Sequence, residues 1–91
     1  MTELILDVKK LADRENLHDT LAAALHFPDW YGRNLDALFD CLTDLNEETR
    51  IVLRNADVME ERLGNYFEMF VKALVLAAEE NQLLYVYEET E

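Results

Sequence analysis

Three short apolar runs, Glu3–Val8, Arg50–Asn55 and Leu83–Tyr87, stand apart in the chain, with helical periodicity filling the intervals. That order constrains the fold most. Strands separated by helices favour a parallel sheet with helical crossovers. Right-handed connections would lay the helices against that sheet. Glu3–Val8 mixes Leu4, Ile5, Leu6 and Val8 with acids, as a short strand does. Ile51, Val52 and Leu53 form a buried strand, and Leu83–Tyr87 is apolar and aromatic.

The first helix can be capped by Asp13 or Asn16 and carries Leu17, Leu21 and Leu25 on one face. Pro28 ends it. Phe27 to Gly32 is a loop with two large aromatics, Trp30 and Tyr31, and Gly32 is expected to mark a backbone bend. Asn34 caps a second helix running to about Leu45. A third starts near Asp57 and stops at Gly64-Asn65. A fourth, Tyr66–Glu80, has Phe67, Phe70, Val71, Leu74 and Ala78 as its apolar stripe and is broken by Asn81. Glu88–Glu91 reads as an acidic tail. The expectation is an α/β domain spanning residues 1–91, with one layer of three parallel strands packed by about four helices. No repeat, low-complexity tract or linker interrupts it.

Half of the residues, 51%, are apolar, enough for a folded core without staples. Cys41 is the single cysteine, so no internal disulfide can form. The beginning of the chain has no basic, then apolar, secretory pattern. The longest apolar stretch, Ala73–Ala78, is too short for a bilayer. A soluble cytoplasmic protein is therefore expected. Twenty acidic residues against eight basic ones give a net charge of -12. Nucleic acid and anionic membranes would repel that surface. Solubility explains it most simply; a cationic partner is the sharper explanation.

The second helix is the most informative segment. At about 100° per residue, Leu35, Leu38, Phe39, Leu42 and Leu45 fall on one side. Asp36, Asp40, Thr43 and Asp44 fall on the other. Asp36 and Asp40 are surface neighbours, and like charges at that spacing destabilise a helix slightly. No Lys or Arg occurs between Asn34 and Asp44 to compensate. Asp40 and Asp44 also lie too far along to benefit from the positive helix N-terminus. Such a face is either simply solvated or serves an external cation. Trp30 and Tyr31, just before it, either cover the edge of the core or act as aromatic anchors beside a charged patch, as at protein interfaces.

Other chemistry finds little support. Cys41 fits a small apolar residue flanking the core stripe better than a nucleophile. His18 and His26 form no zinc pattern, and His18 is read as structural. Asp36 and Asp40 alone supply too few oxygens for a divalent metal. Two glycines cannot make a phosphate loop, and the chain contains no serine. An enzyme built on Asp36, Asp40 and Glu80 is remote. No metal or other cofactor is expected.

The run Leu17-His18-Asp19-Thr20-Leu21, followed by Pro28-Asp29-Trp30-Tyr31-Gly32-Arg33-Asn34-Leu35-Asp36-Ala37-Leu38-Phe39-Asp40-Cys41-Leu42-Thr43, resembles the barstar family. These are intracellular inhibitors of the secreted ribonuclease barnase. The resemblance is densest from Tyr31 to Thr43, and later elements keep the family's order. It implies a three-stranded parallel sheet with helices, and a helix and loop that plug the nuclease active site. Asp40 would stand where the RNA phosphate binds, among Arg, Lys and His residues, with Asp36 as a second acidic contact. Trp30 would pack on the catalytic face, and Tyr31 belongs to the partner-binding set beside it. Gly32, Asn34 and Thr43 would give hydrogen bonds or close approach. Phe39, Asp44 and Glu80 complete the expected partner-binding set.

Departures accompany the resemblance. The family's studied form has tryptophan where Phe39 stands and glycine-tryptophan where Asp44-Leu45 stand. Its glutamate on the last helix aligns with Leu76, with Glu79 and Glu80 nearby. The expected partner is a small basic extracellular ribonuclease, bound by a monomer. The competing reading is an acidic adaptor or nucleic-acid mimic that keeps the fold without a nuclease.

Overall fold

The computed structural model describes residues 1–7, 10–56, 61 and 63–89. Its elements are β1 (Thr2–Asp7), α1 (Arg14–Leu25), α2 (Leu35–Thr43), β2 (Thr49–Arg54), α3 (Asn65–Glu80) and β3 (Leu84–Glu89). The three strands form one parallel sheet in the order β1-β2-β3, so the α/β class expected from the alternation is what forms. Leu4 pairs with Ile51 and Ile51 with Val86, while Leu6 pairs with Leu53. Of the four expected helices, three are present among the described residues. The helix expected near Asp57 falls on a segment, 57–64, most of which lies outside them.

Alternation decides which sheet face is covered. Leu4, Leu6, Thr49, Ile51, Leu53 and Leu84 are buried, whereas Ile5, Tyr85 and Tyr87 are exposed. The helices meet the first set with Leu17, Leu21 and Leu25 from α1, Leu38 and Leu42 from α2, and Phe70, Leu74 and Ala77 from α3. Burying a leucine or phenylalanine side chain contributes about 1.5–3 kcal/mol, so this cluster is the main driving force for folding. Leu35, Phe39 and Leu45 pack against the cluster only in part. No helix among the described residues is long and apolar enough to cross a membrane.

Several boundaries differ from the sequence expectation for identifiable reasons. Asp13, rather than Asn16, caps α1: its carboxylate accepts the Asn16 N–H at 2.9 Å. Residue Val8, expected to end β1, lies outside the described residues. α2 stops at Thr43, not Leu45, where the Asn81 side-chain amide, from the junction after α3, takes the Leu42 and Leu45 carbonyls. Glu88 and Glu89 are not a tail but extend β3, where the Glu89 carboxylate accepts from Arg54 at 3.0 Å. Gly32 is not the left-handed residue of its loop; Arg33 beside it is, at φ 52°. Gly32 is small for a different reason. A Cβ there would lie 3.0 Å from the Asn34 amide nitrogen and 3.4 Å from the Ala37 Cβ.

Candidate binding interface

The loop between α1 and α2 is fixed at both ends. His26 takes the left-handed conformation (φ 58°) and its N–H closes α1 onto the Ala22 carbonyl. A turn follows, with the Tyr31 N–H donating to the Pro28 carbonyl at 2.9 Å. Trp30 and Tyr31 then part company. Trp30 is 83% exposed and Tyr31 only 5%. The Tyr31 ring packs on Phe27, centroids 4.9 Å apart, and its hydroxyl meets His18 Nδ1 at 2.6 Å. His18 Nε2 lies 2.6 Å from the Tyr66 hydroxyl of α3. A neutral imidazole offers one donor and one acceptor, so one phenol donates and the other accepts. Burial keeps the His18 pKa below its usual value, aided by the Arg33 charge and opposed by Asp19. This buried bridge ties the loop to two helices. Trp30 is thereby held out in water on a fixed base.

Asn34 starts α2 by accepting the Ala37 N–H at 2.8 Å through its side-chain oxygen, while its amide nitrogen donates to the Gly32 carbonyl at 3.3 Å. Both of its polar groups thus serve the local turn. Asp36 is exposed in the first turn, where the helix N-terminus favours an anion. It borders a hollow with Arg14 and Arg33, at the opposite end of α2 from Asp44. Arg33 is engaged by Asp19 at 2.6 Å, and Arg14 lies 4.5 Å over the Tyr66 ring.

Six of the residues singled out in the sequence line one groove of about 330 Å³: Trp30, Tyr31, Gly32, Asp40, Thr43 and Asp44. Asp40 is exposed, and its carboxylate enters no ion pair or hydrogen bond among the described residues. Its backbone carbonyl accepts from the Thr43 hydroxyl at 3.0 Å and from the Asp44 N–H at 3.2 Å, which closes the last turn. Cys41 also borders the groove. Burial, then the Asp44 and Asp40 carboxylates, push its thiol pKa up, the reverse of what a nucleophile needs. Phe39 packs partly into the core and Glu80 is exposed at the end of α3; neither lines the groove. Leu76 is exposed at 42%.

Asn81 is the residue supporting the end of α2 that sequence reasoning passed over, having read it only as a helix breaker. Its side chain is buried, and its amide nitrogen donates to the Leu42 and Leu45 carbonyls, both at 3.0 Å. Its oxygen accepts the Leu83 N–H at 3.0 Å. The end of α2 is thereby fastened to the junction of α3 and β3. Nothing local to residue 81 signals this, because the partners lie in a distant segment of the chain.

The electrostatic result is one-sided. Neither α2 nor α3 has a basic residue in its last turn, where cations are normally favoured. The two helix C-termini meet instead through Asn81, and the acids near those ends, Asp40 and Asp44 on α2 and Glu79 and Glu80 on α3, are all exposed. Among the described residues, no group of three or more His, Cys, Asp or Glu side chains could hold a metal. What the arrangement suits is a cationic, partly apolar surface: carboxylates for charge, an exposed indole for area.

Comparisons with known proteins agree with that chemistry. The protein-family model described as Barstar (barnase inhibitor) matches residues 1–88. A Bacillus subtilis (strain 168) protein named "Putative ribonuclease inhibitor YrdF" is 41% identical over 81 residues, covering 88% of this chain and 89% of the relative.

Proposed function

Because the chain belongs to the barstar family, we propose that it inhibits a barnase-type ribonuclease by filling the active site with α2 and Trp30. Family membership supports an inhibitor rather than an enzyme. The observation that carries the mechanism is the Asp40 carboxylate, exposed on the groove and unpaired among the described residues. A carboxylate offers two oxygens in a plane, as a phosphate does, and arginine can bind either in a bidentate manner. Asp40 therefore stands in for the RNA phosphate. Asp44 extends the charge, and Thr43 and Gly32 allow close approach. Trp30 supplies desolvated area, while Tyr31 positions it from within the core. Asp36 and Glu80 contribute from the two ends of the acidic surface, and Asn34 acts through the start of α2.

The protein acts as a monomer in the cytoplasm of the cell that makes the nuclease, keeping a secreted enzyme inactive before export. The test is RNA cleavage by barnase with increasing inhibitor. Stoichiometric loss of cleavage, abolished by Asp40→Ala, supports the reading. Undiminished cleavage at micromolar excess overturns it in favour of an acidic adaptor.

A further inference from the structure

Trp30, Cys41 and Asp44 line not only the acidic groove but a second hollow of about 420 Å³. The three residues form the ridge between the two. The second hollow is lined by the apolar residues Leu25, Phe27 and Leu45 and by the acidic residues Asp44 and Glu47. No lysine or arginine lines it. Glu47 is engaged by the Met1 ammonium at 3.3 Å, whereas Asp44 enters no ion pair among the described residues.

A wholly apolar occupant would leave Asp44 facing a desolvated neighbour without compensation. An anion would meet the uncompensated Asp44 carboxylate and no lysine or arginine. An aliphatic stem ending in a cation satisfies both parts: the stem covers the apolar residues and the charge meets Asp44. The flat face of the exposed Trp30 indole favours a planar guanidinium over a compact ammonium.

We propose that this hollow receives an arginine side chain of the bound nuclease. Trp30 would then divide two cation-accepting subsites, and Leu45 and Asp44 would select the partner. The identity of the arginine's owner rests on the inhibitor reading; the chemistry of the hollow does not.

The test uses three probes of matched shape on the free protein: butylguanidinium, butylammonium and butylurea. Binding is followed by NMR shifts of the Trp30 indole N–H and the Leu45 methyls. Butylguanidinium is expected to bind at tens of millimolar, as suits a fragment of this size. Butylurea should bind about fivefold more weakly. Asp44→Asn should bring the two within about twofold, and Leu45→Trp, which fills the hollow, should remove binding of both. If Leu45→Trp does not fold, Asp44→Asn decides alone, since Asp44 is exposed outside the core.

Absent shifts, or equal binding of butylurea, overturn the subsite. Equal binding of butylammonium overturns the choice of arginine. A protein that inhibits barnase yet ignores butylguanidinium loses this inference and keeps its proposed function. One that binds butylguanidinium and does not inhibit barnase loses the nuclease as the arginine's source.

Discussion

Asp40 lies one helical turn from both Asp36 and Asp44, near the negative end of α2, with no cation against it among the described residues. Each of those relations destabilises the free protein slightly. Asp40→Ala should therefore raise the melting temperature a little while weakening inhibition. Truncating one partner of a buried charge pair costs about 2–5 kcal/mol, on the order of 30-fold to several thousand-fold in Kd. Calorimetry and inhibition titration read the two effects separately, and a loss of both together would assign Asp40 to folding instead. Trp30→Ala makes a parallel case. An 83% exposed ring carries little folding energy, so stability should move by no more than about 0.5 kcal/mol. Affinity for the nuclease should fall by more than about 1 kcal/mol, roughly fivefold, because aromatic anchors dominate interfaces. His18 behaves oppositely. Its imidazole is held neutral between Tyr31 and Tyr66, with a pKa below the unfolded value of 6.5. As pH falls through that value, the unfolded chain takes the proton first. Stability is complete above it and declines below, by up to about 1.4 kcal/mol per pH unit. Urea midpoints from pH 8 to 5 should show this decline, and His18→Gln should flatten it.

At the scale of elements, α2 is a short helix fastened at both ends by asparagines of different kinds. Asn34 caps its beginning within the same turn, a relation visible in the order Asn34-Leu35-Asp36-Ala37. Asn81 secures its end from another part of the fold. A short helix gains little from its own hydrogen bonds, so these contacts and the burial of Leu38 and Leu42 hold it in place. Asn81→Ala removes the donors to one buried and one part-buried carbonyl and should cost about 1–3 kcal/mol of stability. The net charge stays at -12, so the association rate with the nuclease should change little. The dissociation rate should rise, because Asp40, Thr43 and Asp44 no longer share one rigid frame. Stopped-flow association and displacement kinetics check this, and an unchanged dissociation rate in folded Asn81→Ala would remove Asn81 from the interface.

For the molecule as a whole, charge placement matters more than total charge. Arg33 is paired with Asp19 and Arg54 with Glu89, and neither arginine lines the groove that Asp40 and Asp44 border. The field at that groove is therefore negative with little local offset, and a basic partner should be drawn toward it. The association rate should fall steeply as ionic strength rises from 20 to 500 mM, because the screening length shortens from about 20 Å to about 4 Å over that range. A flat dependence would argue against steering and leave contact chemistry alone to account for binding.

Much of this is legible in the sequence itself. The 17-21-25 leucine stripe, the Asn34 cap and the separation of Asp36, Asp40 and Asp44 from Leu38 and Leu42 all depend on neighbours within one or two turns. Side-chain periodicity encodes such relations directly. The parallel sheet followed from a different relation, the alternation of strands with helices, which favours crossover connections. Tertiary structure alone decided which of two adjacent aromatics faces water: His18 and Tyr66 draw Tyr31 inward, leaving Trp30 out. It also converted Asn81 from a helix breaker into a clamp, and Glu88 and Glu89 from a tail into strand. Those outcomes depend on hydrogen-bond partners brought near only by folding, and linear spacing carries no record of such distances.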